Sequence, residues 1–480
     1  MREPPAPHLF VILGATGDLA ARKLLPALFR LTQGRGLDFA VLGCGTRDLG
    51  DDAFRQRAER ALAAAGLEGP GPAEWCARRL YYTPLPTDGD FRPFSTRVAE
   101  VEAACRLPGN RVFYLALPPS SFPGTISGLG EAGLARAPGW ARLVVEKPFG
   151  RDPASARELN RLLHQHFGEE QVYRIDHYLG KETVQNLLVF RFANPVFEAS
   201  WNRDRVARVE ITVAESSGVG SRARYYDTAG AVRDMLQSHL TQVLALVAME
   251  APISMEADAV RAEKVKVLRS IRPLDPARLV LGQYQAGTTP EGPLPAYRDL
   301  EGVSPGSRTS TYAAATLYVD NWRWQGVPFH LRTGKGMARR LTQVAVTFRP
   351  PPVCLYHGVS DHCVAHSDVL YLNLQPDEGF DLEIEVKEPG DTARLRTVPL
   401  HFAYADAFGP IPEAYQTLLL DVMEGDQTLF VRGDEAEEAW RLYEPILDAD
   451  LPVHPYPAGS WGPPAARDLL LDAPNWAGGG

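Results

Sequence analysis

The stretch Arg174–Glu182 concentrates side chains that can do chemistry. It reads Arg-Ile-Asp-His-Tyr-Leu-Gly-Lys-Glu. Lys181 and His177 can offer positive charge to a phosphate, and Tyr178 can donate its hydroxyl hydrogen to one. The carboxylate of Asp176 can orient a base. These residue types in so short a stretch predict a site that binds a phosphorylated ligand.

A glycine-containing turn near the N-terminus predicts a second site, for a dinucleotide. The turn Gly14-Ala-Thr-Gly-Asp-Leu-Ala20 follows the apolar run Leu9–Leu13 and precedes apolar residues at helical spacing over 19–31. A turn between a buried strand and a helix can hold a pyrophosphate at the helix N-terminus. The spacing is G-x-x-G rather than G-x-G-x-x-G, so a purely structural tight turn is the alternative. The residues expected to bind the cofactor here are Gly14, Thr16, Gly17, Asp18 and Leu19.

The end of the second predicted strand, Phe39–Leu42, bears on the choice of cofactor. NAD sites usually carry Asp or Glu at this point, whereas NADP sites carry Arg for the 2′-phosphate. Here Thr46 and Arg47 follow the strand and no acid stands at its end, which favours NADP. NAD stays possible, because Asp48 weakens the positive field and an arginine in a loop can simply face solvent.

Strands and helices alternate in the first part of the chain. This alternation predicts a Rossmann-like α/β domain, with a parallel sheet between two layers of helices. The predicted strands are Leu9–Leu13, Phe39–Leu42, Val112–Leu117 and Arg142–Glu146, and the helices include 19–31 and Asp52–Ala65.

Beyond about residue 180 the pattern changes to strands that alternate apolar with polar residues. This favours an α+β domain with a large, mainly antiparallel sheet covered on one face. We therefore expect two domains, a dinucleotide-binding domain over 1–175 and a second, α+β domain over 176–480. The predicted strands are Val206–Val213, Ala313–Val319, Thr342–Phe348, Val369–Leu374 and Phe380–Val386, and the predicted helices are Ala231–Ala251 and Glu256–Arg269.

Composition excludes several classes of protein. The 480 residues carry a net charge of −9, which argues against general nucleic-acid binding because a phosphate backbone demands a basic face. No apolar run approaches the ~18–20 residues of a membrane span, and the N-terminus does not read as a signal peptide. Five cysteines in so long a chain suggest reduced thiols and a cytoplasmic setting.

These motifs together resemble the glucose-6-phosphate dehydrogenase family, and the resemblance spans nearly the whole chain. It begins with the 174–182 stretch and the Gly14–Ala20 turn. The further matching segments are Glu146–Gly150, Val184–Leu187, Trp201–Arg203, Arg233–His239, Val247–Glu250, Glu263–Leu268, Val327–Phe329 and Tyr456–Pro463.

The resemblance implies oxidation of glucose 6-phosphate at C1, with hydride transfer to NADP. This reaction also needs a base for the hydroxyl proton, and a neutral His near its usual pKa of ~6.5 suits that task. By resemblance His239 is the base, and Asp176 is the carboxylate that holds its imidazolium. From the residue alone, a lone His on that partly apolar helix would more often be a core residue, and the family match reverses that reading.

The resemblance also implies which side chains meet the ligands. His177, Tyr178 and Lys181 would bind the phosphate, and Glu215 and Asp234 would accept hydrogen bonds from sugar hydroxyls. Thr46 departs from the family, because it occupies the position of the usual arginine and Arg47 comes one later. The implied substrate-binding set is Lys147, His177, Tyr178, Lys181, Glu215, Asp234, Lys335 and Arg340, and the implied cofactor-binding set is Gly14, Thr16, Gly17, Asp18, Leu19, Thr46, Arg47 and Lys147.

Assembly is implied by resemblance alone. Family members are usually dimers built through the sheet of the second domain, so a homodimer or a dimer of dimers is expected.

Three alternatives stay open at the level of sequence. The same chemistry on another hexose 6-phosphate is possible, because one altered hydroxyl contact changes binding by only ~1–3 kcal/mol. A non-catalytic regulatory relative is disfavoured because Asp176, His177, Lys181 and His239 are all retained. Zinc binding is a weak hypothesis, since the spacing matches no standard structural-zinc pattern; its candidate ligands are Cys354, His357, His362, Cys363 and His366.

Overall fold

A computed structural model describes residues 4–86, 89–353, 367–390, 394–409, 411–470 and 476–477. The chain divides into two units. The first unit comprises Met1–Lys181, Ile253–Arg261 and Pro412–Glu437, and the second comprises Glu182–Pro252, Ala262–Ile411 and Glu438–Gly480. In the part of the chain that is described, no helix is long and apolar enough to cross a bilayer.

The strands are numbered in chain order. They are β1 (His8–Leu13), β2 (Phe39–Gly45), β3 (Leu80–Pro84), β4 (Arg111–Leu115), β5 (Ala141–Glu146), β6 (Val172–Ile175), β7 (Val206–Ala214), β8 (Leu279–Gln285), β9 (Gly287–Thr289), β10 (Gly292–Leu294), β11 (Tyr312–Tyr318), β12 (Pro328–Gly334), β13 (Leu341–Phe348), β14 (Val369–Gln375), β15 (Gly379–Lys387), β16 (Leu395–Ala403), β17 (Phe430–Val431) and β18 (Val453–Pro457).

Helices are numbered in the same way, and two π-helical segments, Ala20–Leu24 and Val232–Leu240, stand beside them. The α-helices are α1 (Leu25–Arg35), α2 (Gly50–Ala64), α3 (Pro70–Arg79), α4 (Arg92–Cys105), α5 (Phe122–Glu131), α6 (Pro153–His166), α7 (Glu182–Phe192), α8 (Pro195–Glu198), α9 (Ala223–Ala231), α10 (Thr241–Ala248), α11 (Ala257–Ser270), α12 (Tyr404–Phe408), α13 (Ala414–Glu424) and α14 (Gly433–Leu447).

The first unit is built on a sheet of seven strands in the order β17-β6-β5-β4-β1-β2-β3. Six of them are parallel, and β17 pairs antiparallel with β6. The order 3-2-1-4-5-6 of the parallel strands is that of the Rossmann fold. The predicted α/β architecture of the N-terminal domain is therefore confirmed.

Burial on both faces explains the continuous apolar sequence of the first strand. Phe10 and Ile12 belong to one hydrophobic cluster, whereas Leu9, Val11 and Leu13 belong to another. Alternate side chains of a strand point to opposite faces of its sheet, so each face of β1 is covered. A strand in this position cannot place polar side chains on either face at low cost.

The second unit contains a sheet of nine strands in the order β16-β15-β14-β13-β7-β12-β11-β8-β18. Six of its neighbouring pairs are antiparallel. The pairs β7–β12 and β8–β18 are parallel. The prediction of a large, mainly antiparallel sheet is confirmed, and the two parallel pairs make it a mixed sheet.

Two elements of the fold have unusual features. The helix expected over Ala231–Ala251 is π-helical over Val232–Leu240 and α-helical only over Thr241–Ala248. The Pro-rich tail contributes β18, although Pro cannot donate to a sheet ladder. It does so because β18 lies at the edge of the sheet, where Pro455 and Pro457 are tolerated.

Candidate active site

In the first unit, the predicted site residues follow the carboxyl ends of parallel strands. Gly14 follows β1, Lys147 follows β5 and Asp176 follows β6, while Thr46 comes just beyond β2. Parallel strands end at the same edge of a sheet, so these positions share one edge. The strand order reverses between β1 and β4, and ligands of such sheets bind in the crevice at that point.

Gly14 stands where no other residue fits. Its φ is +100°, and a Cβ built on it would lie 2.1 Å from the carbonyl oxygen of Ala116, the residue next to β4. The N–H groups of Gly14 and Ala15 donate to the carbonyl of Cys44, at 2.9 and 2.8 Å. The turn is therefore held against both neighbouring strands by its backbone, and its glycine is required by space as well as by φ.

The helix that follows this turn offers a site for an anion. Gly17 is exposed, and Asp18 and Leu19 are the first helical residues. The first N–H groups of a helix have no partner within the helix and carry the positive end of its dipole. Ala20, which follows Leu19, is fully buried. A helix N-terminus that follows a glycine-containing turn is the kind of place where proteins bind a pyrophosphate.

The loop after β2 is exposed at Thr46, Arg47 and Asp48. The hydroxyl of Tyr82 donates to the carbonyl of Arg47 at 2.5 Å and so fixes the loop backbone. A Cβ on Gly45 would come within 2.9 Å of both the Thr16 hydroxyl and the Tyr82 hydroxyl. The loop after β2 is thus packed directly against the glycine-containing turn.

Lys147 follows a carboxylate, Glu146, that was not among the predicted site residues. Glu146 is half-buried and accepts hydrogen bonds from the hydroxyls of Tyr114, at 2.5 Å, and Tyr415, at 3.0 Å. Burial raises the pKa of Glu146, although these two hydroxyls and Lys147 favour its charged form. The only signal in the sequence was the charge of Glu146 at the end of a buried strand, because Tyr415 is far away along the chain.

The 174–181 stretch contains both a buried anchor and a group of ligand-binding candidates. Arg174 is fully buried and donates to both carboxylate oxygens of Glu169, at 2.7 and 3.1 Å. Asp176 is also buried and accepts the N–H of Tyr178 at 3.0 Å. The ammonium of Lys181 lies 3.4 Å from the centre of the Tyr178 ring, a cation–π contact. Tyr178 and Lys181 are therefore brought together as a phosphate site would need.

In the second unit, a parallel strand pair joins two predicted residues that are far apart in sequence. Glu215 directly follows β7 and Lys335 directly follows β12, and Ala214 is in register with Gly334. The Lys335 ammonium lies 2.6 Å from a Glu215 carboxylate oxygen. Lys335 is buried, whereas Glu215 is about one third exposed. Because the strands run parallel, both residues leave the sheet at the same edge.

A tyrosine lies beside this ion pair. The Lys335 ammonium is 5.9 Å from the centre of the Tyr226 ring. Burial raises the pKa of Tyr226 well above its usual value, and the nearby carboxylates of Asp234 and Glu215 add to that rise. The four residues therefore form one polar group within the second unit. No motif in the sequence pointed to Tyr226, because this residue lies on a separate helix, α9.

His239 occupies an unusual stretch of helix. It is buried and lies near the end of the π-helical segment Val232–Leu240. The backbone N–H of Thr241 donates to the carbonyl of Leu236, five residues earlier, as in a π-helix. Such widened turns occur frequently at functional sites. Asp234, which is half-buried, lies in the first turn of the same segment.

Two further sets of predicted residues lie elsewhere in the chain. Arg340 is exposed and donates to the side-chain oxygen of Gln375 at 3.2 Å. The hypothetical zinc ligands, 354–366, lie outside the described residues.

Comparison with known proteins gives the same picture over both units. A model of the family described as glucose-6-phosphate dehydrogenase, NAD binding domain, matches residues 11–186. A model described as glucose-6-phosphate dehydrogenase, C-terminal domain, matches residues 188–477.

Individual relatives agree in length as well as in sequence. The chain is 44% identical to glucose-6-phosphate 1-dehydrogenase of Treponema pallidum (strain Nichols), over 98% of the chain and 95% of that protein. It is 43% identical to the enzyme of that name from Mycolicibacterium smegmatis, over 99% and 98%.

Solved structures are equally similar. A structure of glucose-6-phosphate dehydrogenase in complex with its substrate glucose-6-phosphate superposes with a TM-score of 0.89, at 34% identity, covering 99% of each chain. The crystal structure of glucose-6-phosphate 1-dehydrogenase from Mycobacterium avium gives a TM-score of 0.87 at 35% identity, covering 99% of this chain and all of that one.

Proposed function

We propose, because the chain belongs to the glucose-6-phosphate dehydrogenase family, that it oxidises D-glucose 6-phosphate at C1 to 6-phospho-D-glucono-1,5-lactone and reduces NADP, the first step of the oxidative pentose phosphate pathway. The observation that carries the proposal is the match of both family models, which together span residues 11–477 with one residue between them. The related structure that holds glucose 6-phosphate supports the choice of substrate.

The base in this proposal is His239. Loss of hydride from C1 requires that the C1 hydroxyl also lose its proton, and an imidazole nitrogen accepts it most readily near neutral pH. Burial of His239 keeps bulk water from competing for that proton. Asp176, also buried, is assigned to orient the imidazole and to stabilise its charged form. When bound, NADP supplies the hydride acceptor.

The phosphate of the substrate is assigned to His177, Tyr178 and Lys181. The contact between the Lys181 ammonium and the Tyr178 ring restricts the lysine, so less entropy is lost when the phosphate binds. The phenol hydroxyl and the ammonium then offer a neutral and a charged donor from one face of the stretch.

Glu215, Asp234, Lys335 and Arg340 are assigned to the sugar. Carboxylates accept from sugar hydroxyls, and the Lys335 ammonium, held 2.6 Å from Glu215, has further hydrogens to donate. Lys147, which follows β5 at the edge shared with Gly14, is assigned to both sugar and cofactor.

The cofactor assignment rests on the first unit. Gly14, Thr16, Gly17, Asp18 and Leu19 would hold the pyrophosphate, and Thr46 and Arg47 would meet the adenosine ribose. The absence of an acidic residue directly after β2 supports NADP over NAD.

One measurement tests the activity and its specificity together. Purified protein is mixed with glucose 6-phosphate and NADP, and reduced nicotinamide is followed by absorbance. The assay is repeated with NAD and with mannose, fructose, glucosamine and galactose 6-phosphates. We expect the highest kcat/KM for glucose 6-phosphate with NADP. A higher kcat/KM for another sugar phosphate would make that compound the substrate instead. No turnover with any combination of sugar phosphate and cofactor would favour a non-catalytic regulatory relative.

Assembly and location are further parts of the proposal. A homodimer, or a dimer of dimers, through the sheet of the second unit is supported by the half-exposed strands β15 and β16, where Leu400 is 53% exposed. Sedimentation of the wild-type protein and of Leu400→Asp would test it, since the charge should dissociate such a dimer. A cytoplasmic location is supported by three described cysteines that are free thiols, Cys44, Cys76 and Cys105.

The division of work between 1–175 and 176–480 also stays a proposal. It assigns nucleotide binding to the first part and substrate binding with dimerisation to the second.

A further inference from the structure

A second arginine lies at the end of β2, on the helix that follows it. Arg57 belongs to α2 and is exposed. Its guanidinium donates to the carbonyl oxygen of Thr16 at 2.6 Å, so it reaches across to the glycine-containing turn. An exposed arginine is usually mobile, whereas this one is tethered at a defined place.

The tether leaves most of the guanidinium available. A guanidinium has five N–H donors in a planar fork, and the Thr16 carbonyl accepts one of them. An arginine held in this way loses little further entropy when it binds an anion, and its fork suits the paired oxygens of a phosphate.

Arg57 also lies close to the loop that carries Arg47. The positive charge of Arg57 acts on the Tyr82 hydroxyl and opposes the rise of its pKa, a rise that burial causes. That same hydroxyl donates to the Arg47 carbonyl at 2.5 Å. Gly45, between them, has no side chain, and a Cβ there would meet the Thr16 and Tyr82 hydroxyl oxygens at 2.9 Å. Thr16, Arg57 and the backbone of Arg47 therefore lie near one another beyond β2.

We propose that Arg57 binds the adenosine 2′-phosphate together with Arg47 and is the residue that determines the preference for NADP. The inference rests on the proposed function, because the end of β2 is where a Rossmann-type site receives the adenosine ribose. Arg47 alone is a weak determinant, since Asp48 is its neighbour and Thr46 holds the family's usual arginine position. Arg57 supplies the missing cation from the next helix.

The experiment measures binding of two nucleotides to the full-length protein by calorimetry. Adenosine 2′,5′-bisphosphate carries the 2′-phosphate, and adenosine 5′-monophosphate lacks it. The variants are Arg57→Gln, Arg57→Lys and the control Arg60→Gln. Arg60 is one turn further along α2, is also exposed, and donates only to the Gln56 carbonyl, at 3.3 Å, among the described residues.

We expect Arg57→Gln to raise the Kd of the bisphosphate by about 10–100-fold, the size of one charge-assisted hydrogen bond. The Kd of the monophosphate should stay within about twofold of the wild-type value. Arg57→Lys should retain part of the affinity because it keeps the charge but loses the fork. Arg60→Gln should change neither. The ratio of kcat/KM for NADP to that for NAD should fall in parallel for Arg57→Gln.

Three results would overturn the inference. Equal weakening of both nucleotides by Arg57→Gln would mean that Arg57 only supports the Thr16 turn. No change in either would mean that it is not a ligand, and equal losses in Arg57→Gln and Arg60→Gln would indicate a general effect of charge. If the wild-type protein itself binds both nucleotides equally, the NADP preference in the proposed function fails as well, while turnover with NAD would still establish the dehydrogenase.

Discussion

The two units build their predicted sites from different materials. The predicted dinucleotide site in the first unit is made largely of backbone: a glycine at positive φ, a helix N-terminus, and loops whose carbonyls hold Tyr82 and Arg57. In the second unit the predicted site is made of ionisable side chains, namely the Lys335–Glu215 pair, with Asp234 nearby, and His239 in a π-helical turn. Shape therefore limits what can change in the first, and charge pairing limits what can change in the second.

One topological device serves both regions. In the first sheet, parallel strands bring Gly14, Lys147 and Asp176 to one edge. The second sheet is mainly antiparallel, yet its pair β7–β12 is parallel, and Glu215 and Lys335 follow those two strands. Since a parallel pair delivers two chain ends to the same side, a single such pair inside an antiparallel sheet is enough to build a site.

The largest effect on activity is expected in the second unit, at the proposed base. His239→Asn should lower kcat by ~10²–10⁴-fold, because an asparagine amide cannot take up the proton that the imidazole accepts. The KM for glucose 6-phosphate should change little, since the assigned phosphate and hydroxyl contacts stay. Steady-state kinetics decide the matter, and a variant with full activity would remove His239 from the mechanism.

The second largest effect is expected in the first unit, at the glycine-containing turn. Gly14→Ala puts a Cβ 2.1 Å from the Ala116 carbonyl oxygen, so the turn must move. We expect the Kd for NADP to rise by about 100-fold and the free energy of unfolding to fall by about 2–4 kcal/mol. Calorimetry and urea unfolding measure the two changes.

Gly66→Ala is the matched control for this substitution. Gly66 also has a positive φ, of +73°, but a Cβ there has nothing within 4 Å. Gly66→Ala should lower the free energy of unfolding by only about 1 kcal/mol and leave NADP binding unchanged. Similar Kd values for the two variants would show that φ alone, and not close packing, accounts for Gly14.

A smaller effect is expected when the ion pair of the second region is broken. Lys335→Gln leaves the Glu215 carboxylate without its cation, so KM for glucose 6-phosphate should rise about tenfold and stability should fall by about 1–2 kcal/mol. Lys266→Gln is the control, because Lys266 pairs with Glu263 at 2.9 Å but is 65% exposed. If both variants behave alike, the buried pair has no special part in the site.

The last effect concerns stability rather than catalysis, and both regions should share it. His8 in β1 and His330 in β12 are buried, and burial lowers the pKa of each to about 4. The unfolded chain binds these protons near pH 6.5, so stability is present above that pH and is lost as the pH falls towards 4. In that range, each histidine should lower the free energy of unfolding by up to about 1.4 kcal/mol for each unit by which the pH falls.

Urea unfolding between pH 7 and pH 5 tests this expectation with His8→Asn and His330→Asn. Each variant should be less stable at pH 7 but show a shallower pH slope than the wild-type protein. A slope that neither substitution changes would assign the pH dependence to other groups.

Much of the first region could be read from the sequence because its signals are local. The apolar run Leu9–Leu13 indicated a strand buried on both faces, and Gly14 indicated a turn that a side chain would block. Both follow from short-range sterics and hydrophobic patterning. Arg57 escaped notice because its contact with Thr16 joins two elements that are distant in sequence.

By itself the sequence determined the types of element, the strand–turn–helix at Gly14, the stretch from Arg174 to Glu182 and, through resemblance, the family. Tertiary structure alone decided that β7 lies beside β12, that Lys335 meets Glu215, and that Tyr226 and Asp234 are near them. It also decided the π-helical turn that carries His239. The reason is physical: helix and strand patterns reflect neighbours along the chain, whereas strand pairing and helix register are chosen by packing among residues that are remote in sequence.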